Sequence, residues 1–294
     1  MGGIWAGRFE EGIRSGQRGS ASLTGATEPW WEGHLFWVTG VNAAALGALD
    51  VARAAGQATY AVGERSGDPR LRSCGRWLGG WVDILEGRHE AARVACQEAS
   101  DLAPDPLCKA VASQWLGFVC LERGSPPLAV THLEDAADRY TAFGFAALEA
   151  WACAWLGRAL VAQGRAQDAM AAARKALAIG EGAGFALATG LAHRAMGEAA
   201  RALGDLVAAR TELTAAWEAL HLVAARPDAA LARVELAASC HALGDKAAAI
   251  EHLDGAARDL SGMGVRMARA RVRELATTLE MPIPAEPPAP DRSQ

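Results

Sequence analysis

Small and apolar residues recur along this chain on two scales at once. Within a segment they return every three or four positions, the spacing of one face of an α-helix. The whole pattern then returns after about 40 residues, anchored by Gly7, Gly47, Gly87, Gly124, Gly164, Gly204 and Gly244, whose separations are 40, 40, 37, 40, 40 and 40. Seven positions before the anchors stand Gly40, Gly80, Gly117, Gly157 and Gly197, then Ala237. Five after them stand Ala52, Ala92, Ala129, Ala169, Ala209 and Ala249, and twelve after them Thr59, Ala99, Ala136, Ala176, Ala216 and Ala256. A period of this length marks a stacked array of supersecondary units.

Each column has a mechanical reading. The anchor glycine ends one helix, because only glycine enters the left-handed region without penalty. A helix starter often follows: Asp205 and Asp245 are N-cap candidates, and Ser125-Pro126 pairs a cap with an N1 proline. Each unit is therefore two helices joined by a tight turn. The glycine seven before the anchor lies mid-helix, at a cost of about 1 kcal/mol relative to alanine. Its recurrence points to a close approach of the paired helix, with the alanine five after the anchor facing it. Nine after come Cys96, Leu133, Ala173, Leu213 and Leu253, which extend the apolar stripe. Units are linked at Gly144-Phe145, Gly184-Phe185 and Gly264-Val265, or at Asp68-Pro69, Pro104-Asp105-Pro106 and Pro227-Asp228.

This reading divides the chain into a partial N-terminal repeat and loop over 1–30, a repeat superhelix over 31–279 and a tail over 280–294. A last helix near Arg266–Leu279 caps the stack, and the proline-rich tail is expected to be extended or disordered. Gly7 keeps the register although no helix precedes it. The chain thus begins either with an irregular half-repeat or inside a longer protein.

The columns resemble the tetratricopeptide repeat. Trp155-Leu156-Gly157, Leu160, Gly164, Ala169, Ala173 and Ala176 follow its small-residue pattern, as do Trp115-Leu116-Gly117, Cys120, Gly124, Ala129, Leu133 and Ala136. The unit is longer than the usual 34 residues of that repeat, and small or aliphatic residues stand at its tyrosine position. Longer alanine-rich units of this kind look like the C-terminal arrays of bacterial signalling ATPases, nucleotide cyclases and transcription activators, where the array senses a ligand or docks a partner. The resemblance implies an all-α, right-handed α-α superhelix of about six helix pairs, whose first helices line a concave groove.

Composition narrows the function further. The chain is 51% hydrophobic with few aromatics at 6%, and 29 basic residues are mixed among 34 acidic ones for a net charge of −5. Without a basic stripe a nucleic-acid partner is not expected. No apolar run nears the roughly 20 residues that span a bilayer, so a membrane partner is not expected either. Neither a signal peptide nor a myristoylation site is legible at the N-terminus. Six cysteines lack C-x-x-C or metal-ligand spacing and sit among alanines as small apolar residues, which fits a reducing cytoplasm. Arginine outnumbers lysine 26 to 3, a bias of high-GC coding.

Candidate chemistry lies on the first helices. Offsets of thirteen, ten, nine and six before the anchor share an arc of roughly 100°. They hold Trp37, Trp77, Trp81, Trp115, Phe118, Trp151 and Trp155, with Arg158 beside them. Aromatic residues and arginine are favoured interface anchors. They are thus candidates for a partner-binding groove over the first four repeats. The competing reading is that the rings fill gaps between neighbouring units. Trp30 and Trp31 precede them, where they can shield the end of the stack. The seven histidines form neither H-x3-H nor H-E-x-x-H, so no metal site is expected. The run Gly180 to Gly184 lacks G-x-G-x-x-G and falls at a repeat boundary, so no nucleotide cofactor is expected. No nucleophile motif or catalytic set is legible, and a non-enzymatic role follows. The expectation is a cytoplasmic interaction scaffold or regulatory module that takes a protein or peptide in the groove. The alternative is a small-ligand sensor array, which calls for an enclosed pocket of a few hundred cubic ångströms rather than an open surface. Self-association through exposed end repeats is a third reading.

Overall fold

A computed structural model describes residues 6–23 and 28–282. The tail expected to be extended falls outside the described residues from 283 onward. Fourteen helices follow one another among the described residues: α1 (Phe9–Ser22), α2 (Pro29–Leu46), α3 (Leu49–Ser66), α4 (Pro69–Leu85), α5 (His89–Leu102), α6 (Pro106–Glu122) and α7 (Pro126–Phe143). After them come α8 (Ala146–Ala162), α9 (Ala166–Ala183), α10 (Ala186–Ala202), α11 (Leu206–Leu222), α12 (Arg226–Ala242), α13 (Lys246–Asp259) and α14 (Arg266–Thr278).

The turn chemistry sets these boundaries. All seven anchor glycines have positive φ, between 68° and 86°. Between units Gly67, Gly144 and Gly184 do the same, whereas Ala224, forty residues after Gly184, takes the left-handed conformation without glycine's freedom. The side chains of Asp205 and Asp245 accept the backbone N–H groups of Ala208 and Ala248 as N-caps. Asp68 and Asp105 cap α4 and α6 in the same way, each ahead of a proline in the first turn. Ser125 occupies the N-cap position of α7 but makes no side-chain cap bond, so Pro126 alone carries that start. The one short unit is shortened in α5, which has 14 residues where α3 has 18 and stops before Pro104.

The mid-helix glycines are contact points. A Cβ added at Gly80, Gly117 or Gly197 would lie 3.2–3.3 Å from the carbonyl oxygen of Ala92, Ala129 or Ala209, the alanine five after the anchor, and would collide with Cys96, Leu133 or Leu213. Loss of the side chain thus brings the two helices of a unit to backbone contact, and dispersion across that seam offsets the propensity cost.

Consecutive helices pack side by side, and the first helices of successive units also touch one another: α2 with α4, α4 with α6, α6 with α8, α8 with α10, α10 with α12, and α12 with α14. The first helices therefore form an inner layer and the second helices an outer one. Helix α1 packs on α2 in the place of an outer-layer helix. The inner layer also closes on itself. Helix α2 meets α12 and α4 meets α14, so the two ends of the array are in contact. At the seam Gly47 leaves no room for a side chain against Met263, and Gly7 leaves none against Val223. One continuous buried cluster runs from Phe9 through the central tryptophans to Val265, Met267 and Val272.

Candidate functional site

Closure decides what becomes of the aromatic arc. Trp37 on α2, Trp77 and Trp81 on α4, Trp115 and Phe118 on α6, and Trp151 and Trp155 on α8 all meet in a single cluster. Trp115 is its hub, 5.2 Å from Trp77 in a parallel stack, 4.6 Å from Trp81, 5.8 Å from Trp151 and 5.2 Å from Trp155, ring centre to ring centre. Phe118 stacks on Trp155 at 4.2 Å, and Trp37 meets Trp77 edge-on at 6.0 Å. The rings share one face of the inner layer and meet one another there. Trp77, Trp81, Trp115, Phe118, Trp151 and Trp155 are only 2–5% exposed. In a closed inner layer the rings have one another and the C-terminal units to pack on, so they fill the centre.

The aromatic chain reaches solvent at one end. Trp37 is half-buried and its ring neighbour is His34 at 5.1 Å; His34 in turn lies 5.4 Å from Trp30 and 6.4 Å from Trp31. Trp31 is 56% exposed. Burial lowers the His34 pKa, which keeps the imidazole neutral between the rings.

At the other end stands Arg158, where the inner face changes character. The four offsets that carry rings in the early units carry Arg194, Glu198, Leu231 and Glu235 in the fifth and sixth. These residues, with Glu122 at the end of α6 and Arg271 of α14, line a chamber of about 300 Å³. Arg158 Nε donates to Glu198 at 3.1 Å, and Arg194 Nε lies 3.0 Å from the same carboxylate. Glu122, its side chain 4% exposed, lies 3.6 Å from both Arg158 Nη2 and Arg271 Nη2, beyond hydrogen-bond reach. Arg201 pairs with Glu235 just outside, and Arg271 with Glu274 at 3.2 Å. Arg194 is 2% exposed, yet its Nη1 has no hydrogen-bond partner.

The electrostatics follow from this crowding. Burial works against the charge on Arg158, but Glu198, Glu122 and Glu235 outweigh it and raise its pKa. Burial, aided by neighbouring Arg158, lowers that of Arg194. For Glu198 the pull of Arg158 and Arg194 overcomes burial and holds the carboxyl below its ordinary value. Asp228, half-buried in the first turn of α12, is pushed up by desolvation despite both arginines.

Of these charged residues only Arg158 is legible as a site residue from the aromatic pattern. Arg194, Glu198 and Glu235 had a signal in the same offsets of the last two units. Glu122 and Arg271 had none, since their meeting depends on closure. Elsewhere all six cysteines are free, and burial pushes the thiols of Cys108 and Cys153 up to about 11 and that of Cys74 up to about 12. No cluster of three metal-ligating side chains occurs among the described residues, and none of their helices is long and apolar enough to cross a membrane.

Paired helices stacked into a two-layered superhelix, with first helices inward, make an all-α solenoid with the fold of tetratricopeptide-repeat arrays. Solved structures agree on the fold. A Rap protein complexed with competence and sporulation factor superposes with a TM-score of 0.70 at 13% identity, over 95% of this chain and 82% of that one. NprR in complex with its cognate peptide NprX gives 0.65 at 10% identity, over 92% of this chain and 78% of that one. A signal transduction ATPase with numerous domains from Pyrococcus horikoshii, which bears a tetratricopeptide repeat sensor, gives 0.53 at 14%, over 92% of this chain and 42% of that one. No family model matches the sequence, and no curated protein matches it.

Proposed function

We propose that this chain is a non-catalytic, cytoplasmic recognition module that docks a protein or peptide partner. The observation that carries the reading is the solvent-facing end of the aromatic chain, where Trp31 is 56% and Trp30 36% exposed beside His34 and the half-buried Trp37. Large rings kept at a surface, when six others of the arc are packed away, are interface anchors: each buries much area for few rotors. Of the residues that the sequence pattern assigns to the groove, Trp37 belongs to this contact and Arg158 to the chamber. The buried rings hold the array in shape. NprR, which shares the fold, forms a complex with its cognate peptide NprX, and a peptide is the partner this reading favours. Neither nucleic acid nor membrane is part of the reading, given the net charge of −5. A small-ligand sensor is the second reading, and the half-open chamber between α6, α8, α10, α12 and α14 is where a ligand would sit.

The test is capture from native lysate with wild-type bait and with a Trp30→Ala/Trp31→Ala double variant whose helical circular dichroism is unchanged. A protein retained by wild type alone is the expected result. Retention of the same protein by both baits moves the contact elsewhere, and retention by neither removes the partner reading.

A further inference from the structure

The chamber holds more hydrogen-bonding capacity than it uses. An unpaired donor on a buried guanidinium is costly, about 1–3 kcal/mol for a neutral group and more for a charged one, and Arg194 Nη1 is in that position. The Glu122 carboxylate has the opposite surplus: both of its arginine neighbours stand at 3.6 Å, where charge-assisted pairs close to about 2.7–2.9 Å. Donors and acceptors are thus held apart around a space of about 300 Å³, at the lower end of the range of small-ligand sites.

The sign of the occupant follows from the balance of charge. Arg158, Arg194 and Arg271 line the space against Glu122, Glu198 and Glu235, and the flanking Arg201 and Glu274 add one charge of each sign. Burial pushes up the pKa of Asp228, which neighbours them in the first turn of α12. A lone anion or cation would leave one charge uncompensated in a desolvated space, which is strongly unfavourable. An occupant bearing one of each keeps the balance. The rest of the wall is apolar, with Leu121, Val161 and Leu231 available to an aliphatic side chain.

We propose that the chamber binds a small zwitterion, an aliphatic α-amino acid or a dipeptide containing one, with its carboxylate on Arg158 and Arg194 and its ammonium on Glu122. This site is independent of the docking patch around Trp31.

Calorimetric titration of the full chain tests the assignment, with L-leucine and L-leucylglycine as probes. Isocaproate, which lacks the ammonium, and isoamylamine, which lacks the carboxylate, are the controls. At least one zwitterion is expected to bind saturably, one per chain, and each control at least about tenfold more weakly. Arg194→Gln is expected to weaken leucine by about tenfold or more, and Glu122→Gln to erase the preference for leucine over isocaproate. The proposal is overturned if neither zwitterion binds at about 10 mM, or if a control matches them. It is also overturned if folded Arg194→Gln binds as wild type does. The wild-type titrations decide the matter even where a variant fails to fold.

Discussion

The inner face has two halves made from the same four helical offsets. In units one to four the offsets hold rings, and the rings close on one another until no space remains. In units five and six they hold no ring, and Arg194, Glu198 and Glu235 among them stand around a chamber. The difference is one of packing physics. Aromatic faces and edges interlock at 4–6 Å without needing solvent. Buried ions must keep their hydrogen-bonding directions satisfied and so resist collapse. One register can therefore build a keystone at one end and a receptacle at the other, with Arg158 one helical turn beyond Trp155 at the junction.

The sharpest way to break the contrast is to remove the hub of the dry half. Trp115→Ala is expected to cost about 3–5 kcal/mol in urea denaturation, whereas Trp31→Ala at the exposed end of the same chain of rings should fall within about 0.5 kcal/mol. Equal costs would mean that closure is not what buries the hub. The charged half should respond differently. Arg158→Met alone leaves Glu198 short of a partner and is expected to cost about 3 kcal/mol. The charge-balanced change Arg158→Met/Arg194→Met/Glu122→Leu/Glu198→Leu should leave stability near or above wild type while abolishing leucine binding. A quadruple variant as unstable as the single one would make the ions a structural necessity.

The smallest effect is a pH dependence. Burial raises the folded-state pKa of Asp228, so the unfolded chain releases that proton first and this residue's contribution falls as pH rises through the ordinary carboxylate range. Asp228→Asn should therefore be more stable than wild type at neutral pH, with the gap closing towards about pH 4. Glu198 runs the other way. Its lowered pKa gives stability above the ordinary range that is lost on acidification, so Glu198→Gln should narrow its deficit as pH falls. Urea midpoints across the pH series measure both.

The repeating unit was readable because each of its parts is local. Glycine at the anchors, glycine against alanine across the seam, and aspartate at helix starts all act within one helix pair, and the chain writes them again every forty residues. Local rules also placed the seven rings on one arc. They did not say what would cover that arc, because the meeting of α2 with α12 and of α4 with α14 comes from small rotations summed over six units. No residue encodes that sum. The same blind spot hid Glu122 and Arg271, which are unremarkable charges until the array brings them together. Arg194, Glu198 and Glu235 are hidden for another reason: charges on a helix ordinarily mark a solvated face, and nothing local says that these three turn inward.

The contact between first and last units also changes the statistical mechanics of the array. An open solenoid is a one-dimensional lattice with two free ends, and it can fray inward from either of them. Joining the ends through the seam at Gly47 and Met263 gives the lattice a periodic boundary, so the first and last full units are no longer free ends. Such an array should lose its helices in a single cooperative step rather than as a receding front, and a cut in any one connecting turn should restore the front.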